Sequence, residues 1–154
     1  MALAATQIVN AIAARIPGNS VHTSHPWPFA ESELPAWRVR SVPGGEAVPQ
    51  TLARDALYRH ELEVECIGYV RAVDDLDTAL DALAAPALAK LFAAAPQTPP
   101  DALDALAAKI ELSLARELEF GPGVEGEAAI GAVTVPLRAV YFTRASAPET
   151  ITLN

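Results

Sequence analysis

The chain holds one cysteine, few aromatic residues, few basic residues and no long apolar run, and each shortage removes a class of protein. Cys66 alone cannot close an internal disulfide, and zinc sites usually recruit two or more thiolates. No apolar stretch approaches the roughly 20 residues that span a bilayer, so no membrane partner is expected. Residues 2–16 are apolar-rich but carry no basic leader and no A-x-A site before a mature domain, which argues against a signal peptide. Eleven Lys and Arg stand against nineteen Asp and Glu, a formal net charge of −8 at pH 7. Coating a phosphate backbone needs the opposite surplus, so no stable nucleic-acid binding is expected. Catalytic signatures are missing as well: there is no G-x-S-x-G, no Walker loop and no H-E-x-x-H. Gly121, Gly123 and Gly126 have dinucleotide-loop spacing, but they precede a strand pattern and not a helix.

What remains is 154 residues, of which 51% are hydrophobic, enough for the core of one domain spanning 1–154. Such a composition points to a soluble intracellular domain. Alanine makes up roughly a fifth of the chain, concentrated at 2–14 and 79–108, as a good helix former would be.

Ala5, Ile8, Val9, Ile12 and Ile16 form one apolar stripe, which predicts a helix over 2–16 ended by Pro17-Gly18. Ser20–Ser24 reads as a short strand. Pro26, Pro28 and Pro35 then break the chain around Trp27 and Phe29, and a second strand follows at about 36–42. Residues 43–55, opened by Pro43-Gly44-Gly45, are expected to be a mobile exposed loop. From Tyr58 to Val70 the pattern has period two. Tyr58, Leu62, Val64 and Cys66 face one way, and Arg59, Glu61, Glu63 and Glu65 the other.

A second helix begins near Val73, with Asp74 as its cap and Val73, Leu76, Leu80, Leu83, Ala87 and Leu91 as its buried stripe. Pro86 lies inside it and predicts a bend near 82–86. Residues 101–108 fit a short helical turn. Ile110 to Phe120 alternate over ten residues, which favours a strand, although Ile110, Leu114 and Leu118 also fit a helix. A turn is placed at Gly121-Pro122-Gly123, and a last strand over 128–142 with Val133, Val135, Leu137, Ala139 and Tyr141 on one face. The tail after Arg144 is expected to fray. The fold class that follows is α+β: one largely antiparallel, mixed sheet of four to five strands, with two main helices on one face.

Three clusters invite a chemical reading. His22 and His25 have H-x-x-H spacing, but the segment looks extended and no third ligand lies nearby. Asp74, Asp75, Asp77 and Asp81 resemble a calcium loop, but Ala79 and Ala85 stand where Gly and Glu are required, so capping explains them better. His60 and Cys66 share a strand face but sit about 20 Å apart, too far for a nucleophilic dyad. No catalytic, metal or cofactor-binding residue is therefore assigned, and no enzyme is expected. Charge is more informative. Residues 61–127 carry 14 acidic against 4 basic side chains, whereas residues 1–60 carry 4 against 5. Arg38, Arg40, Arg54 and Arg59 form a basic counterpart to that acidic region, a subunit or partner interface suited to head-to-tail assembly; an ordinary solvated acidic surface is the alternative.

The layout as a whole resembles the tail terminators (minor tail protein U-like) of long-tailed phages and prophages. The resemblance runs through the helix ending in Ile16-Pro17-Gly18, the strand after Leu34-Pro35, and the strand Arg59-His60-Glu61-Leu62-Glu63-Val64-Glu65-Cys66. It continues through the acidic-capped helix at Asp74-Asp75-Leu76-Asp77 and the closing strand Gly131–Thr143. Pro86 and the proline-rich 96–100 segment depart from the pattern. The resemblance implies a structural virion protein of the tail, assembled in the host cytoplasm. Its partners are then itself, as a ring that is hexameric on the tail, the tail-tube protein, and the head–tail connector proteins. A neck connector or tail-completion protein is the alternative within that class. A small-molecule-binding or hydrolytic α+β domain is the alternative outside it, and it requires a pocket that gathers His22, His25 and His60.

Overall fold

The computed structural model describes residues 3–18, 20–23, 34–42, 47–51, 54–71, 75–122 and 130–153. In chain order the elements are α1 (Ala4–Arg15), β1 (Val21–His22), β2 (Ala36–Ser41), β3 (Ala47–Pro49), β4 (Leu57–Arg71), α2 (Leu76–Leu91), α3 (Ala102–Leu106), β5 (Glu111–Leu114), β6 (Glu119–Pro122), β7 (Ile130–Arg144) and β8 (Ala147–Thr152). The class is α+β with a mixed sheet. Among the described residues the sheet has eight strands, where four to five were expected, and there are three helices.

Two 15-residue strands, β4 and β7, form the antiparallel spine, in register from Leu57↔Arg144 to Arg71↔Ile130. The other strands line its two flanks. β2 and β3 follow one another along the open side of β4, and β1 joins β2 in parallel. On the open side of β7 lie β6, β5 and β8. Alternation decides the faces. Leu62, Val64 and Cys66 of β4 and Val133, Val135, Leu137, Ala139 and Tyr141 of β7 are buried against the helices, as their period of two predicts. Gly68 keeps this face open for an aromatic ring: a Cβ there would lie 3.0 Å from the Trp37 ring and 2.8 Å from Leu83 Cδ2.

α1 ends at Arg15 because the residue before a proline avoids helical geometry, and Ile16 is extended. Gly18 follows at a φ of 124°. In α2 the cap is Asp75, whose carboxylate accepts from the Thr78 amide; Asp74 lies outside the described residues. The helix runs through Pro86 without a break. Pro86 and Ala82 are both exposed, so the carbonyl that loses its partner can face water.

The ten-residue alternation at 110–120 is a strand in kind but splits into β5 and β6. Pro136 supplies the reason. Its carbonyl accepts from the Ala115 amide, so its own missing N–H faces the same flank. Four residues, 115–118, there oppose two, 135–136, and bulge outward. Of the turn expected at 121–123, Gly121 and Pro122 still belong to β6, and Gly123 lies outside the described residues.

The tail after Arg144 is no frayed end. It turns at Ala145-Ser146 and returns as β8, with Ile151 buried. Asp55 accepts from both the amide and the hydroxyl of Ser146 at 2.9 Å, and Gln7 of α1 donates to the Glu149 carbonyl at 2.6 Å. Within the expected loop at 43–55, residues 47–49 form β3 on β4, while 43–46 and 52–53 lie outside the described residues. No helix among the described residues is long and apolar enough to cross a membrane.

Candidate functional site

The groups with chemical potential are held apart or silenced by their surroundings. Cys66 is fully buried, and burial pushes its thiol up to about 12. His60 stacks on Tyr141 with ring centroids 4.7 Å apart, and its Nε2 lies 2.7 Å from Thr143 Oγ1. Burial holds this imidazole below its usual range. A histidine against a hydroxyl has the form of a base and nucleophile, but Thr143 is 4% exposed and inaccessible to a substrate. His22 lies on β1, half-buried, and His25 is outside the described residues. Among the described residues no group of three or more His, Cys, Asp and Glu could hold a metal ion.

The most constrained polar cluster is one the sequence reading passed over. Arg15 sits on the apolar stripe of α1, three residues after Ile12, and only 5% of its side chain is exposed. It donates through Nε and Nη2 to Asp101 at 2.8 and 2.5 Å, and through Nη2 to Asp104 at 2.6 Å. Asp101 and Asp104 also cap α3 reciprocally. The Arg15 hydrogen bonds hold Asp101 well below the ordinary carboxylate range. For Asp104 burial opposes ionisation, but the amides of Asp101 and Gln97 together with Arg15 outweigh it. A charged residue on an apolar stripe, with D-x-x-D elsewhere in the chain, is the signal that could have found this cluster. A cavity of about 240 Å³ adjoins it, lined by Leu91, Pro96, Leu103, Ile110 and Leu112 among others. The guanidinium at its wall is already committed to the two carboxylates.

The outer face of the spine has a different character. Glu61, Glu63 and Glu65 of β4 alternate with the core residues and point away from the helices. Arg116, on the 115–118 bulge, crosses β7 to reach Glu63 and, at 3.4 Å, Glu65; it also meets Glu119 at 3.3 Å. Pro136, beneath this crossing in the Glu65 row, is fully buried.

The four arginines proposed as an interface fall into two pairs. Arg40 is tied to Glu65 at 2.8 Å and Arg59 to Glu61 at 2.9 Å, so both are spent within the chain. Arg38, on the outer face of β2, and Arg54, exposed in the β3–β4 turn, take no ion pair among the described residues. On the opposite flank Glu111 of β5 and Glu117 of the bulge are exposed and likewise unpaired. Large apolar side chains also reach the surface on both flanks: Leu114 (43%) and Phe120 (52%) on one, Val48 (43%) on the other. No protein-family model matches the chain, and no curated protein matches it.

Proposed function

We propose that this chain is a structural subunit of a long-tailed phage or prophage tail, one that caps the tail tube as a ring and offers a surface for head–tail joining. The observation that carries the reading is the distribution of unspent surface. Among the described residues, the core side of the spine is closed by helices, while β3 on one flank and β6 on the other have no further strand beside them; exposed Arg54 and Val48 lie on the first flank, and exposed Glu111, Glu117 and Phe120 on the second, with Lys109 and Arg138 nearby. A heterologous contact needs two different surfaces on one subunit, and repetition of that contact closes a ring where its rotation divides a full turn. The chemistry-bearing groups support the same conclusion, because Cys66, His60 and Thr143 are spent on packing. The resemblance of the sequence layout to the tail terminators is what supports the tail as the setting and the virion as the location.

The test is sizing by light scattering with and without a polymerising tail-tube protein from the same genome, followed by imaging of the tubes. Rings at tube ends and shortened tubes support the proposal. A chain that leaves tube length unchanged and never localises at an end overturns it. Binding to a head connector in that case moves the chain to the neck.

A further inference from the structure

The helix layer ends before the sheet does. Among the described residues, the helices pack over β4, β7 and the strands β1, β2 and β8, and hardly at all over β5 and β6. We propose that the strip this leaves, between α2 and the β5–β6 edge, is a docking site for an amphipathic helix of another protein, one with apolar side chains on one face and Lys or Arg beside them.

Strand register sets the floor of the strip. Leu112 stands opposite Ala139, Leu114 opposite Leu137 and Phe120 opposite Val133, and these three partners are buried under the helix layer. Residues directly opposite share a face, so Leu112, Leu114 and Phe120 also point to the helix side. Leu114 and Phe120 are nevertheless exposed. Helical period sets the wall. Leu83 of α2 lies against Gly68 and the Trp37 ring, so that side of the helix faces β4 and β2. Leu88 and Phe92 lie across the buried line of Leu80, Ala84, Ala87 and Leu91 from it, and so face β5 and β6. Leu88 is half-buried and Phe92 is exposed. At one end the strip runs into the cavity, whose lining includes Leu91 and Leu112.

Size and charge select the occupant. The levels of Val133 and Ala139 are about 20 Å apart along β7, the length of about 13 residues of α-helix. Helices pack about 8–10 Å apart, roughly two strand spacings, so a helix seated beside α2 lies over the β5–β6 edge. Asp77 and Asp81 share the Leu88 side of α2; both are exposed and take no ion pair among the described residues. Lys90, seven residues after Leu83, is on the other side of the helix, and Lys109 stands at the cavity end as the basic exception. The rim therefore attracts a basic segment. A second copy of this chain is a poor occupant: its net charge is −8, and the apolar stripes of its own α1 and α2 are already buried.

The site does not rest on the tail reading, and its test needs no tail tube. A fluorescent synthetic peptide of about 14 residues, with Leu along one helical face and Lys elsewhere, is titrated with the unmodified chain and followed by anisotropy. Two control peptides either scramble its order or replace every Lys by Glu. The striped basic peptide should bind at least about tenfold more tightly than either control. Phe92→Ser with Phe120→Ser should weaken it at least about tenfold, and Asp77→Asn with Asp81→Asn about threefold with a smaller dependence on salt. Circular dichroism checks each fold, and Phe120→Ser alone replaces the serine pair if that one unfolds. The proposal is overturned if the scrambled peptide binds as tightly, since charge alone then attracts it. It is equally overturned if the Glu peptide matches the Lys peptide, or if a folded serine variant binds like the unmodified chain. Sedimentation velocity tests the second copy: self-association of the unmodified chain that Phe120→Ser abolishes would put another copy on the strip and overturn the proposal as well.

Discussion

Arg15 links three parts of the fold through one guanidinium, joining α1 to the capping carboxylates of α3 and lying at the wall of the cavity. Removing one partner of a fully buried ion pair costs about 3–5 kcal/mol, because the other charge is left unpaired. Asp101 is a quarter exposed, so Arg15→Met should cost less, about 2–3 kcal/mol, measured by urea unfolding. Acid should act in two stages. His60 and Asp101 are both held below their usual values, His60 by burial and Asp101 by Arg15. Each therefore favours the fold fully above its unfolded value, and its contribution is lost as pH falls through the folded one. The first loss should begin below about pH 6.5 and vanish in His60→Gln. The second should begin below about pH 4 and shrink in Asp101→Asn, with Asp104, Asp55 and Asp75, which are also held low, carrying the remainder. Stability curves across pH 2–8 that leave both losses at full size in these variants would contradict the assignment.

At the scale of elements, the strand that closes the chain offers the sharpest check. Ile151 is 4% exposed on β8, and Ile151→Ala should cost about 2 kcal/mol in thermal or urea unfolding. No loss would mean that the segment frays. What the sequence made legible follows from periodicity. The long alternations of β4 and β7 could be read residue by residue, since a period of two over 15 residues fits no other element. The stripe of α1 was equally plain. β8 was missed because its alternation is carried by Ala147, Glu149 and Ile151, only one of which is strongly apolar. The division between β5 and β6 was invisible for a different reason: its cause, Pro136, lies on the neighbouring strand. The candidate surface was half legible. Four arginines were visible as a basic group, but which of them are spent depends on cross-strand neighbours such as Arg40 and Glu65, and register is a tertiary fact. The Arg15 cluster was missed on the same ground, because 86 residues separate it from Asp101.

At the scale of the whole molecule, the described residues form a sheet whose spine is covered by helices on one side, with no further strand beside β3 or β6. Helices and core residues account for the inner face, and Arg116 with its glutamates braces the outer face across β7. Among the described residues the flanks keep strand edges without a further partner and exposed apolar side chains, Val48 on one and Phe120 on the other, which together favour association over isolation. The proposed role as a tail-tube cap would give this asymmetry a use. Tube length, measured by electron microscopy against the ratio of this chain to polymerising tube protein, tests it most directly. The account predicts tubes that shorten as the ratio rises, each carrying ring density at one end. A length distribution unchanged at saturating chain, with bare ends, would contradict it.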